Sequence, residues 1–465
     1  MEHEETRLLS NYNIAIILFL TIITGTIGTY LDHNEAIISL SLISILLGTL
    51  FIMLVSKSEN RKNAIDIFLI FFLVYLIYSF VMHFMYIEVY NVTAPYIESD
   101  DEVFYLGTQD IYHKVKTSSY SFFETKDIYI YQEVYGAINF YVYIAMLADM
   151  LGGELTMLTQ KVGVILISAL IPVFMYLISR LYFTEKVSIR VAFIYGFFSF
   201  VPYLSALILR DVHVALMFII TFYIILEKVS IKNLLILIFV SFISFTLRLE
   251  TGVFMLGFTS IYFFHFIDTS IGNKILKILL YLFLIFFGIA LVLSSSELTS
   301  MFNMIMQSSS DRTAETAVAG SMGAKIAKLP FGLNYIALLG FGQIQPFPPS
   351  VIFFSKKGMF SLTYLYAGIA WFFGWGFLLY GIFVKKVLHD LNLKINLMLL
   401  FSILYLVLVS VIEFNQRRQA PVYPILYLVM VFSYLKMTIS ERTKVWVGML
   451  MLYTSLVLTI NYMKV

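Results

Sequence analysis

A chain of 465 residues that is 60% hydrophobic and 13% charged, with a mean hydropathy of +0.88, is excluded from the soluble and disordered classes and reads as a polytopic membrane protein. The net charge of +2 discriminates little, and no nucleic-acid partner is expected. The absence of cysteine removes a disulfide frame, a thiolate metal site and a cysteine nucleophile, and is compatible with a bilayer facing an oxidising exterior.

The first apolar run, 13–30, follows a Glu-rich segment with Arg7 and has no small-residue cleavage site, so it reads as a retained helix. Apolar windows at 12–31, 36–56, 64–86, 158–180, 188–209, 212–229, 232–248, 250–268, 275–294, 361–384, 395–413, 420–437 and 443–463 predict about thirteen spanning helices. In lipid only helices satisfy every backbone group within such a segment, so the fold class is all-α. Lysines and arginines in short loops set the orientation. With the N-terminus inside, Lys57, Arg61, Lys62, Arg180, Lys186, Arg190, Lys228, Lys232, Lys274, Lys277, Lys385, Lys386, Lys394, Lys436, Arg442 and Lys444 all fall in cytoplasmic loops. This requires that the apolar stretch 136–151, which contains Asn139 and Asp149 and precedes Gly152 and Gly153, lies as a juxtamembrane helix on the outer face.

The chain then divides into an N-terminal hairpin, 1–63; a module 64–294 with an acidic outer loop at 87–157; an outer loop 295–360; and C-terminal helices, 361–465. The second loop carries apolar residues such as Ile326, Leu329, Phe331 and Leu339, suggesting short amphipathic helices, and leaves through Pro346, Pro348 and Pro349. No internal repeat of the inverted-transporter kind is visible.

Two groups of charged residues stand out on the outer side. Glu98, Asp100, Asp101 and Glu102 form an acidic island leading into a helix-like run, which puts the acids at a helix N-terminus, where negative charge is favoured. Such an island is either a solvated loop or a place where a proton or cation is handled. Arg210, Arg248, Arg417 and Arg418 lie at outer turns that should be poor in arginine. A planar guanidinium binds phosphate in a bidentate way, so the four suggest an anionic ligand at the outer leaflet; the plainer reading pairs Arg210 with Asp211, and Arg248 with Glu250 or Glu413. His83 and His265 read as buried or interfacial histidines, and His113 and His213 show no metal-ligand spacing. No Walker loop or dinucleotide glycine motif is present.

With these residues placed, the chain resembles the GT-C class of membrane glycosyltransferases, which includes the protein O-mannosyltransferases and the aminoarabinose transferase acting on lipid A. The resemblance rests on an Asp-Glu-x-x-Tyr motif at Asp101, Glu102 and Tyr105, an outer loop and short helix ending at Leu151 and Gly152, a basic residue at Lys161, a helix ending in Arg180-Leu181-Tyr182-Phe183, and a second acid at Asp211. It covers 64–230; two extra helices precede the acidic loop, and the outer arginines are more like those of bacterial polysaccharide polymerases. The resemblance implies catalysis on the outer face of the cell membrane, with a sugar carried on a polyprenyl phosphate or pyrophosphate and a saccharide, lipid or protein acceptor. Asp101 is then the general base or a metal-adjacent acid, assisted by Glu102 and Asp211. Tyr105, Asp100 and Glu250 position substrate, the four arginines hold the lipid phosphate, and loop 295–360 covers the cleft. A divalent cation, Mg or Mn, is left open. A repeat-unit polymerase and a lipid-linked saccharide flippase are the competing expectations.

Overall fold

The computed structural model describes residues 8–92, 96–97, 99–117, 135–270, 330, 333, 337, 340, 342–343, 356–412 and 416–464. The expected span 275–294, most of the loop 295–360, and Glu98 and Glu413 lie outside them. The described residues are helical, without strands. In chain order the helices are α1 Asn11–Asp32, α2 Ala36–Val55, α3 Ser58–Tyr90, α4 Ser99–Thr117, α5 Tyr135–Met150, α6 Met157–Arg180, α7 Glu185–Phe198, α8 Val201–Ser205, α9 Asp211–Leu226, α10 Ile231–Leu247, α11 Leu249–Ser270, α12 Lys356–Phe383, α13 Leu393–Ile412, α14 Gln416–Gln419, α15 Tyr423–Lys436 and α16 Ile439–Lys464. Six segments among the described residues are long and apolar enough to cross a membrane: α1, α2, α3, α6, Glu250–Thr269 and Tyr364–Phe383.

Local chemistry starts these helices where the chain requires it. Ser10 caps α1 by accepting from Asn13 N at 3.2 Å, Ser230 caps α10 through Asn233 N at 3.2 Å, and Thr156 forms a reciprocal capping box with Thr159 at α6. Between α5 and α6 the chain turns at Gly152, whose φ of +80° is open to glycine at little cost.

The expected span 188–209 is not one helix. It stops at Phe198, where Ser199 turns extended, restarts for one turn at Pro202, and then runs irregularly to Arg210. Proline has no N–H to continue the ladder, so the last carbonyls of α7 need other donors. Tyrosines supply them: Tyr75 Oη donates to Gly196 O at 2.7 Å and Tyr427 Oη to Phe198 O at 2.9 Å. The spans 212–229 and 232–248 are also shorter than expected, since α9 has 16 residues and α10 has 17. At 1.5 Å per residue that is about 24–26 Å, less than a hydrocarbon core of roughly 30 Å. By contrast α3, with 33 residues, extends past its expected span at both ends.

Helix α6 is the centre of the bundle and packs against α2, α3, α5, α7, α8 and α9. Close approach comes from small residues set against aromatic ones, because lipid gives apolar helices little other reason to associate. A Cβ on Gly196 would overlap the ring of Phe71, and one on Gly48 the ring of Phe68.

Polar contacts between turns define two ends of the bundle. At one end Arg180 Nε donates to Asn60 Oδ1 at 3.0 Å, Lys57 pairs with Glu227 at 3.2 Å, and Lys394 Nζ donates to Ile225 O at 2.8 Å. The other end holds the turn between α1 and α2, the helices α4 and α5, and the turns before α9, α11 and α15. Asp66, fully buried in α3 at the first end, accepts from Leu9 N at 3.0 Å and anchors the segment before α1.

Candidate functional site: an arginine rim beside a buried lysine

The second end carries a rim of arginines built by three helix breaks. The break at Arg248, between α10 and α11, is extended, with φ −163° and ψ 125°, which turns its side chain toward the start of α9. There Arg248 Nη2 donates to Asp211 Oδ1 at 2.9 Å, with both residues buried. Glu250, in the first turn of α11, lies 3.7 Å from Arg248 Nε and 3.8 Å from Arg418 Nη1. Arg417 Nη2 binds Asp100 Oδ2 at 2.8 Å, bringing α14 to the start of α4. Arg210 Nη1 donates to Leu247 O at 3.3 Å, and Tyr405 Oη holds Arg418 O at 3.0 Å.

Four guanidinium groups therefore face Asp100, Asp211 and Glu250. Burial and then the neighbouring charge of Arg248 push Arg210 down to about 10, against the pull of Asp211. For Arg248 burial also opposes the charge, but Asp211 and Glu250 outweigh it and its pKa is raised. Arg248 is only 3% exposed, and its Nη1 atom has no hydrogen-bond partner. A buried cationic N–H donor left unmatched is costly and suited to an anion that brings its own acceptors. At the edge of the rim the Asp100 side chain is 51% exposed, and Glu102 points to solvent.

Asp101 sits beside this rim in different surroundings. It is fully buried, and its two oxygens accept backbone N–H groups, Oδ1 from Ile208 at 3.0 Å and Oδ2 from Ile97 at 3.2 Å. The first bond holds the irregular segment that leads into Arg210 and Asp211. Tyr141 Oη grips the same segment at Leu209 O, at 2.9 Å, with His213 packed edge-on against its ring. Behind Asp101 lies Lys161, fully buried, with Nζ 3.4 Å from His83 Nδ1. The carboxylates acting on its charge are Asp101 first and Asp32 second. Asp32 in turn accepts from Thr156 Oγ1, the cap of α6, at 2.6 Å. Tyr105 is half-buried near this group, 6.4 Å from the Tyr96 ring, and burial pushes its phenol up to about 12.

The structure brings Arg210, Asp211, Arg248, Glu250, Arg417, Arg418 and Asp100 together, and places Asp101 on backbone N–H groups beside them. Asp211 takes Arg248 rather than its sequence neighbour Arg210. Sequence reasoning missed the pairing of His83 with Lys161. A lysine at the fifth position of an apolar helix that packs on all sides was the available signal.

The chain matches no family model, no curated protein and no solved structure.

Among the described residues no group of three or more His, Cys, Asp or Glu side chains is placed to hold a metal ion. Each rim acid instead has a guanidinium within 4 Å.

Proposed function

We propose that this protein is a multi-pass membrane glycosyltransferase of GT-C type, with about thirteen spans, using a sugar carried on a polyprenyl phosphate at the face that bears the arginine rim. The observation that carries the reading is the convergence of Arg210, Arg248, Arg417 and Arg418 from three separate turns around a buried donor with no partner. The basic turns at the opposite end support a cytoplasmic N-terminus and an outward-facing rim.

In this reaction an acceptor hydroxyl attacks the anomeric carbon, the bond from that carbon to the phosphate oxygen breaks, and the lipid phosphate leaves with the electron pair. The arginines stabilise the charge that develops on it. The hydroxyl proton goes to a carboxylate within reach of solvent and substrate. Asp100 suits that role better than Asp101, because Asp101 is closed in and already accepts two backbone N–H groups. Asp101 is then a positioning residue for the Arg210 turn. The same site serves a repeat-unit polymerase equally well. A flippase is favoured by one observation, the ionisable pair Lys161 and His83 inside the bundle.

The test compares Asp100→Asn with the parent in the native host at matched membrane levels, profiling envelope saccharides and lipid-linked intermediates by mass spectrometry. Loss of one defined sugar, with its polyprenyl-phosphate donor accumulating, is the expected result. Single lipid-linked repeats with loss of long chains would assign a polymerase. An unchanged profile would overturn the enzymatic reading.

A further inference from the structure

At the end opposite the arginine rim, α2, α6, α9 and α10 leave between them a cavity of about 660 Å³, within the roughly 300–1,000 Å³ typical of ligand sites. Its walls are apolar over most of their area, with Phe51, Leu170, Phe174, Ile220, Ile236 and Ile243 spread along four helices. It runs from mid-bundle to the turns at that end, where Glu227, Lys232 and Asn233 form its polar mouth. The apolar walls, spread along four helices, fit an alkyl chain, and the mouth decides what head that chain bears.

Charge at the mouth is one-sided once its pairs are assigned. Glu227 is engaged by Lys57 at 3.2 Å and by Tyr223 Oη at 2.9 Å. Asn233 is committed to the turn, since its Nδ2 donates to Lys228 O at 3.0 Å. Lys228 and Lys232 are exposed beside it and make no ion pair among the described residues. An alkyl chain whose head carries a phosphate therefore meets two uncompensated ammonium groups, while a zwitterionic head would set its own cation against them.

We infer that this cavity is a binding site for an anionic glycerophospholipid, one acyl chain lying between α2, α6, α9 and α10 and the phosphate at Lys228 and Lys232. The site is separate from the rim and does not depend on the function proposed for it. It ties α9 and α10, which are short for a spanning pair, to the leaflet whose headgroups they would otherwise fail to reach.

The test uses the full chain purified in detergent and titrated with phosphatidylglycerol, phosphatidylcholine and a polyprenyl phosphate in native mass spectrometry. The parent should retain phosphatidylglycerol in preference to the other two. Lys228→Glu with Lys232→Glu should weaken that retention roughly thirtyfold or more, and Ile236→Trp, which intrudes into the cavity without touching the charges, should weaken it as well. Arg417→Ala at the opposite end should leave it unchanged. Equal retention of phosphatidylcholine, preference for the polyprenyl phosphate, or indifference to Ile236→Trp would each overturn the proposal.

Discussion

Asp101 and Arg248 are buried at the same end of the bundle, yet their surroundings differ in one respect. The carboxylate of Asp101 has its oxygens on Ile208 N and Ile97 N, with Lys161 and His83 behind it in the protein interior. Arg248 spends one nitrogen on Asp211, keeps another unmatched, and stands beside Arg417, Arg418 and Glu250, which are all partly open to solvent. The first cluster is a frame, because every change in it exposes a buried charge or a backbone donor. In the second, the partly open pairs Arg417–Asp100 and Arg418–Glu250 can be exchanged for a ligand at small cost to the fold.

The sharpest way to break this contrast is to remove the acid at the centre of the frame. Asp101→Ala leaves Lys161 without the carboxylate that acts most on its charge and two N–H groups without acceptors, so it should cost about 3–5 kcal/mol of stability, read by chemical or thermal unfolding in detergent. Adding Lys161→Met should recover part of that loss, because the second change removes the stranded charge. If Asp101→Ala kept the parent's stability and lost only its activity, Asp101 would belong to the chemistry, and the distinction between the two clusters would fail.

An intermediate effect is expected at the rim. Arg418→Ala removes a pair that is only partly buried and long, at 3.8 Å, so stability should move by about 1 kcal/mol or less. Binding of an anionic prenyl compound such as farnesyl phosphate, measured by calorimetry, should weaken by roughly tenfold or more, since a hydrogen bond to a charged group contributes about 1.5–3 kcal/mol. A variant that unfolds while its residual folded fraction binds as tightly as the parent would make the rim part of the frame.

Much of the helical layout was readable from apolar windows, and the short helix at 136–151 was readable from its length and from Asn139 and Asp149. The arginines were readable as anomalies at turns, and they do gather. Their partners were not readable, because Arg417 finds Asp100 across 317 positions and no spacing rule spans that interval. Asp101 was readable as an acid at a helix start, but not the bonds its carboxylate makes. Its main partner is a backbone N–H 107 positions away, and a backbone donor leaves no mark in a sequence. The break after Phe198 was missed for a related reason: Pro202 sits within a continuous apolar run, and the tyrosines that satisfy the broken end come from α3 and α15.

The smallest effect should come from Lys116 and Asp149, which join the far ends of α4 and α5 at 2.8 Å on the surface. Their hydrogen bond raises the pKa of Lys116 and lowers that of Asp149. The carboxylate thus contributes stability above its ordinary pKa, lost as pH falls through the folded value; the ammonium contributes below its ordinary pKa, lost as pH rises through the folded one. Both groups are exposed, so the pair is screened by water and salt, and Lys116→Met should leave the unfolding midpoint at neutral pH essentially where it was. The comparison with Asp101 then becomes quantitative, because both carboxylates help set α4, one by a surface ion pair and one by buried bonds to the backbone. If Lys116→Met destabilised the protein as much as Asp101→Ala, α4 would be held from its exposed end. The Arg210 turn would then owe its position to α5 rather than to the carboxylate beneath it.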